Sequence, residues 1–241
     1  MSTYIVNHDN GAVKVQHVKR SLVGDRVSYC FPNGNKKYKG NDETGFIIWS
    51  IPPVSTCPFS TEQCRKNCYA VKAWRAYPTV RVARTANKES AAYPRIQQFI
   101  DDVTAIIKYL ANTGKNKNRS RIIVRVHESG DYFAEWYFDA WVQIARNCAD
   151  DTRIVFWSYT KSFEFLVGKQ IPDNFRVRAS VWADTDQSQL DLIEQLNLPI
   201  YTAVEKFAEN DGYSHCRCDD CATCETPCGD MSIMRTACEI H

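Results

Sequence analysis

The chain contains no long apolar run. Its longest apolar stretches, such as "GFIIW" at 45 to 49, are strand-sized. A helix that crosses a bilayer needs about 20 apolar residues, so no membrane span is expected. An excess of one charge is also missing. Thirty Lys and Arg against 28 Asp and Glu leave a formal net charge of +2, so no global charge argues for nucleic acid. The opening residues, MSTYIVNHDNGAVKV, hold no apolar h-region, so no signal peptide is expected. There is no internal repeat and no low-complexity block. These absences point to a cytosolic protein, whose cysteines stay reduced or metal-bound, and they set aside a disulfide knot.

The 241 residues suit one large domain, or one domain with a small appendage, and 44% apolar residues supply a core without disulfide staples. Residues 1–44 are polar and turn-rich and read as a loose N-terminal lead-in. From 45 to 210 strand-like and helix-like segments alternate. "GFIIWSIPP", "RIIVRVH", "RIVFWSYTK", "FRVRASVWAD" and "LPIYTAVEK" are short, apolar and β-branched. Between them, Ile96, Phe99, Ile100, Val103, Ile106, Ile107 and Leu110 recur at helical spacing. Tyr137, Ala140, Trp141 and Ile144 form a second helical stripe, and "DQSQLDLIEQLN" a third. This alternation predicts an α/β fold with a parallel sheet, either doubly wound or a full or partial TIM-like barrel. The barrel form is preferred, because every strand ends in polar residues of chemical use, and parallel barrels build their sites there. A cysteine-rich tail, 211–241, packs on it.

Eleven cysteines are the most distinctive feature of the chain. Cys57, Cys64 and Cys68 follow the first core strand at C-x6-C-x3-C spacing, among polar neighbours that disfavour a core role. In the tail, Cys216 is followed by Cys218, Cys221, Cys224 and Cys228, and the last four are spaced C-x2-C-x2-C-x3-C. Zinc knuckles keep two C-x2-C pairs apart by a longer loop, whereas this crowded run matches the iron–sulfur spacing of ferredoxins. The three N-terminal thiols and the five of the tail make eight, enough for two 4Fe-4S clusters. If Cys57, Cys64 and Cys68 alone hold one cluster, one iron stays open to a ligand. Cys30, Cys148 and Cys238 are left outside this count.

Other residues are candidates for chemistry. His127, Glu128 and Asp131 follow a buried strand, and with Tyr159 and Lys161 they could move protons or bind an anion. Alternatively, His127 is a core histidine, Asp131 caps the next helix and Lys161 is a solvated strand-end lysine. From Arg65 to Arg95 the chain carries Arg65, Lys66, Lys72, Arg75, Arg81, Arg84, Lys88 and Arg95 against Glu89, with Tyr69, Trp74 and Tyr77 interleaved. That stretch could grip phosphates and stack on bases, or be a solvated basic helix.

The ordered set "PPVSTCP", "CRKNCYA", "RVHESGDYF", "FWSYTK", "IPDNFRVRAS" and a cysteine-rich tail ending in His241 resembles the phage gene-product-eighty-eight family, over roughly residues 45 to 241. The resemblance implies a phage or prophage protein with cysteine ligands, working in the cytoplasm of the host bacterium. Its matching positions are Cys57, Cys64, Cys68, His127, Ser129, Gly130, Asp131, Tyr159, Thr160, Lys161 and the tail cysteines. Ser129 and Gly130 are thereby candidates for cofactor binding. The tail departs from the family pattern, which places one cysteine well upstream of a C-x2-C-x2-C run. Here Cys216 and Cys218 crowd the run and Cys228 follows it. At fold level the layout also resembles radical S-adenosylmethionine enzymes, which place a three-cysteine loop after the first strand of a partial barrel, although at C-x3-C-x2-C spacing. That likeness implies S-adenosylmethionine as a further cofactor. Two functions are therefore expected to compete. One is an iron–sulfur redox or radical-type enzyme with an electron donor and a small-molecule substrate. The other is a metal-stabilised nucleic-acid-binding protein.

Overall fold

A computed structural model of the chain gives its architecture, and the structure describes residues 2–9, 12–18, 27–32, 36–206, 212–216, 221–222 and 232–239. The five expected strands form, as β4 (Thr44–Trp49), β5 (Arg121–Val126), β6 (Ile154–Thr160), β7 (Phe175–Val181) and β8 (Ile200–Val204). The three expected helices form as well: α4 (Ile96–Ala111), α5 (Glu135–Asn147) and α6 (Gln187–Gln195). Ahead of them, 62–90 folds into α1 (Glu62–Lys66), α2 (Tyr69–Ala76) and α3 (Pro78–Ser90).

The five strands pair in parallel, in sequence order. Two short strands from the tail, β9 (Ser214–His215) and β10 (Arg235–Glu239), extend the sheet, giving the order β4-β5-β6-β7-β8-β10-β9. The tail was expected to pack on the barrel. Of its described segments, β10 pairs into the sheet, hydrogen-bonding to β8 in parallel register from Arg235↔Ile200 to Glu239↔Val204. The sheet is curled and forms a half-barrel.

Alternation along β5 sorts the two faces. Ile122, Val124 and Val126 point to the convex side, where they join Phe99, Val103, Ile106, Trp141 and Ile144 of α4 and α5 in the main core. Ile123 points the other way, into a small cluster with Trp157, Phe46, Tyr159, Tyr201 and Cys216. The concave side is thus partly covered by the chain itself. A 3-10 turn at Lys36–Tyr38 sets the Tyr38 ring 5.4 Å from that of Phe46, and the Lys37 carbonyl accepts from the Cys221 N–H at 2.8 Å.

The lead-in differs from its expectation. It contains a three-stranded antiparallel sheet, ordered β2-β1-β3, of β1 (Ser2–Asp9), β2 (Ala12–Val18) and β3 (Tyr29–Phe31). Backbone pairing holds β2 although most of its side chains are exposed, so its polar sequence gave no apolar pattern to read. Two buried polar residues fasten this sheet to the rest. Asn87 on α3 binds both backbone groups of Cys30, accepting from its N–H at 2.7 Å and donating to its carbonyl at 2.8 Å, and also donates to the Ser50 carbonyl at 2.9 Å. Asp102 on α4 accepts from the Tyr29 hydroxyl at 2.7 Å and pairs with half-exposed His8 at 2.6 Å. Burial and the Asp102 carboxylate push the Tyr29 hydroxyl well above its ordinary range, so it remains a donor.

Among the described residues, no helix is long and apolar enough to cross a membrane. Asn87→Ala leaves buried backbone groups without partners and is expected to cost about 3 kcal/mol. His8→Ala removes a half-exposed pair and is expected to cost about 1 kcal/mol or less. Urea unfolding of the two variants checks the order.

Candidate metal centre and its cavity

The C-terminal ends of β4 to β8 open on one rim. The corner after β5 is shaped by backbone geometry. His127 has a φ of 59° and Gly130 a φ of 86°, both in the left-handed region. A Cβ on Gly130 would collide with the side chains of Ile51 and Thr56, so only glycine lets the corner close on the cysteine loop. The corner continues the ladder of β4. Glu128 N–H donates to the Trp49 carbonyl at 3.2 Å, Ile51 N–H to the Ser129 carbonyl at 3.0 Å, and Ser129 Oγ to the Ile51 carbonyl at 3.0 Å. Ser129 and Gly130 therefore hold the loop in place, and both line the cavity described below.

The cysteine loop is built by local turns. Cys57 N–H donates to the Val54 carbonyl at 3.0 Å. Thr61 caps α1 by accepting from Cys64 N–H at 3.2 Å, and Asp184, beyond β7, accepts from Gln63 N–H at 2.8 Å. Cys68 is the N-cap residue of α2. The loop and the tail meet at one cavity of about 430 Å3. Cys57, Cys64 and Cys68 line it together with Cys216, Cys221 and Cys238. Cys57 lies near Cys64, Cys68 and Asp131, while Lys37 sits among Cys216, Cys221 and Cys238. Cys218, Cys224 and Cys228 lie outside the described residues. Burial pushes the Cys57 thiol up to about 12. Burial also raises the Cys64 thiol, against the pull of Lys161, and that of Cys238, against a hydrogen bond from the Tyr201 hydroxyl. Among the described residues, no three His, Cys, Asp or Glu side chains converge on one metal-ion position.

Cys238 was left out of the ligand count. It stands at 238 in the TACE stretch, far from the C-x2-C run, and reaches the cavity only because β10 pairs with β8, where Cys238 lies opposite Ala203. Lys37 and Arg125 were also missed. The signal for Arg125 was present, since "RIIVRVH" puts an arginine inside an otherwise apolar strand. Cys30 and Cys148 are buried away from the cavity, Cys30 beneath Asn87 and Cys148 at the end of α5, where burial holds its thiol up at about 12.

The polar candidates fall into two groups. Asp131 does not cap α5, whose N-cap is Ala134. Its buried carboxylate ties β5 to β6 by accepting from the Thr160 hydroxyl at 2.6 Å and from Lys161 N–H at 2.8 Å, and it also accepts from Tyr132 N–H at 2.8 Å. Burial raises its pKa, and these three bonds oppose the rise. Lys161 is buried rather than solvated. Its Nζ donates to Ser180 Oγ at 2.7 Å and reaches the Cys64 thiol. His127 belongs to the second group. It is packed against the rings of Tyr132, Tyr137 and Trp141, and burial, with Arg125 nearby, lowers its pKa well below the ordinary value, so it is neutral. The Tyr137 hydroxyl accepts from Trp49 Nε1 at 3.0 Å and is hydrogen-bonded to His127 Nε2, also at 3.0 Å. His127 Nδ1 is buried without a hydrogen-bond partner. Glu128 faces Arg84 of α3 at 3.9 Å, and its carbonyl accepts from the Tyr69 hydroxyl, tying the basic helices to the corner. Tyr159 packs against Tyr201, with ring centroids 4.4 Å apart and planes tilted by 30°.

Gly130→Ala is expected to lower stability by about 2–3 kcal/mol, from strain and collision together. Ser129→Ala, which loses one hydroxyl donor, is expected to cost about 1 kcal/mol. Urea titrations of both variants check the difference.

Comparison with known proteins finds similar sequences in bacteriophages. The "Gene 88 protein" of Mycobacterium phage D29 is 31% identical over 129 residues, covering 51% of this chain and 51% of the relative. The "Gene 88 protein" of Mycobacterium phage L5 is 31% identical over 129 residues, covering 51% of this chain and 52% of the relative. The chain thus spans about half the length of the curated relatives it matches. No solved structure matches it, and no match bears on the radical S-adenosylmethionine likeness. The model of the family "Gene product 88" matches residues 30–232, a span that takes in β4 to β8, the cysteine loop and most of the tail, and the chain belongs to that family.

Proposed function

We propose that this chain is a phage-encoded iron–sulfur protein of the host cytoplasm, with one or two 4Fe-4S clusters at the mouth of the half-barrel and a redox role. The observation that carries the reading is the meeting of two cysteine trios, from distant parts of the chain, on one cavity. Thiolates are the ligands that iron–sulfur clusters take. A single zinc ion asks four donors to converge within about 2.3 Å of one point. A four-iron cluster takes one thiolate at each corner of a cube, an arrangement better suited to trios that face each other across a cavity. Lys37 and Lys161 lie beside the thiols and would offset the negative charge of a thiolate-bound cluster. In this reading Asp131, through its bond to Lys161 N–H, fixes the lysine backbone beside Cys64, and Lys161 tunes the potential. An electron donor and a small-molecule substrate complete the function.

Anaerobic purification is expected to yield a brown protein with iron and acid-labile sulfide in near-equal amounts. Replacing Cys57, Cys64 and Cys68 together by serine should remove one cluster's share of iron. Cys238→Ser should lower iron at the second trio, whereas Cys148→Ala should leave iron content unchanged. A colourless preparation holding stoichiometric zinc would falsify the reading.

A second reading rests on the surface of α1 to α3, where the chain would be a nucleic-acid-binding protein stabilised by its metal. Arg84 is buried against Glu128, and Arg81 donates to the carbonyls of Trp74 and Arg75. The remaining cations, Arg65, Lys66, Lys72, Arg75, Lys88 and Arg95, are exposed, and so are Tyr69, Tyr77 and Tyr93. Exposed cations interleaved with rings suit a single strand, whose phosphates and bases they can meet in turn. Fluorescence anisotropy with a labelled oligonucleotide is then expected to show binding that weakens with salt, by a slope of about −0.7 per phosphate contacted. Arg75→Glu with Lys72→Glu should make that slope shallower. Absence of binding at low salt would remove this reading.

A further inference from the structure

The concave face of the half-barrel carries a buried charge with no counter-ion among the described residues. Arg125 on β5 is 4% exposed. Its Nη1 donates to the Val126 carbonyl at 2.6 Å, and its side chain also hydrogen-bonds to the Tyr38 hydroxyl. The Tyr159 ring centroid lies 4.5 Å from its guanidinium carbon. No described carboxylate pairs with it, and its Nε has no hydrogen-bond partner. Arginine stays protonated in proteins, so this site holds a full positive charge out of water. Removing a charge from water without a partner is costly, and a fold that keeps one there has an anion to meet.

A further donor points the same way. Trp157 lies opposite Arg125 in the β5–β6 register, and its Nε1 is buried without a partner. His127 Nδ1, at the end of the same strand, is also buried without a partner. All three residues line the 430 Å3 cavity. The unpartnered N–H groups of Arg125 and Trp157, cross-strand neighbours on the concave face, call for acceptors. The rest of the wall is mostly apolar and includes the rings of Tyr159 and Tyr201, tilted by 30° to each other. The volume falls within the range of small-molecule sites.

We propose that this cavity binds a small molecule with an oxyanion head, a carboxylate or a phosphate, gripped by the Arg125 guanidinium, with an apolar or flat body against Tyr159 and Tyr201. The guanidinium fork matches both heads geometrically. The site uses none of the cysteines, so it does not depend on the iron–sulfur reading, and it places a substrate beside the thiols if that reading holds.

The test compares melting temperatures of the wild type and Arg125→Met in chloride, acetate and phosphate at matched ionic strength, with the protein both iron-loaded and iron-free. At about tenfold excess over Kd, the preferred anion is expected to raise the wild-type Tm by about 3–6 °C over chloride, and to do so in both iron states. The variant should show no such increment. A larger effect of acetate identifies a carboxylate head, and a larger effect of phosphate a phosphate head. Equal increments in wild type and variant overturn the proposal, because they report general salt effects. A wild-type increment that vanishes on iron loading also overturns it, because Arg125 is then the counter-ion of the cluster. If Arg125→Met does not fold, the arginine Nε–H resonances of the wild type serve instead. One of them should shift saturably with phosphate or acetate, and none shifting overturns the proposal. Protein that takes up no iron but keeps the Arg125-dependent response defeats the iron–sulfur reading and leaves this one standing. The reverse result does the opposite.

Discussion

Parallel pairing along the whole seven-stranded sheet is the constraint from which the rest of the arrangement follows. When neighbouring strands run the same way, each must return through a crossover, and every strand releases its chain at the same edge. The loop after β4, the corner after β5 and the turn after β6 are therefore neighbours, although they lie up to about a hundred residues apart in sequence. The curl of the sheet then bends that edge into a rim. Asp131 fixes the rim at one point, since its carboxylate, attached after β5, accepts from Thr160 and Lys161 at the end of β6. Gly130 fixes it at another, by letting the corner touch Ile51 and Thr56 of the cysteine loop.

The two faces of the sheet do different work. The convex face is covered by α4 and α5 with a conventional core of Ile, Val, Phe and Trp, and this is where the hydrophobic stabilisation is concentrated. The concave face carries arginine, tyrosine, tryptophan and cysteine instead. Such a surface gives up stability. Buried cations and unpartnered donors cost free energy that an apolar filling would not. The main core supplies the margin that lets the concave face remain polar. Strain has collected at the rim, at the positive φ of His127, a non-glycine residue held there by its ring contacts and its bond to Tyr137.

The sequence was most legible where one physical signal was strong and local. β5, β6 and β7 were read correctly because strands buried between a helical layer and a filled concave face are continuously apolar or β-branched. α4 and α5 were read from their helical stripes. The cysteine loop was read as facing the rim, because Cys57 follows β4 within a few residues. The lead-in was not read, because β2 exposes most of its side chains and is held by backbone pairing to β1, which leaves no pattern in the side chains. β10 was hidden for a related reason. "RTACE" is too short and too polar to announce a strand, and it becomes one because β8 offers it an open edge.

By itself, then, the sequence determined the alternation of strands and helices, the parallel sheet and the presence of two thiol-rich segments. These depend on side-chain type and spacing within about ten residues, which local physics can read. Tertiary structure alone decided which thiols share a cavity, bringing Cys238 in and sending Cys30 and Cys148 into the core. It also decided that Lys161 turns toward Ser180 and Cys64, that His127 is buried and neutral, and that Arg125 is buried without a carboxylate beside it among the described residues. Each of these depends on which distant segments approach one another and on the dielectric they create there. Both are set by long-range pairing of the sheet, and no window of neighbouring residues records them.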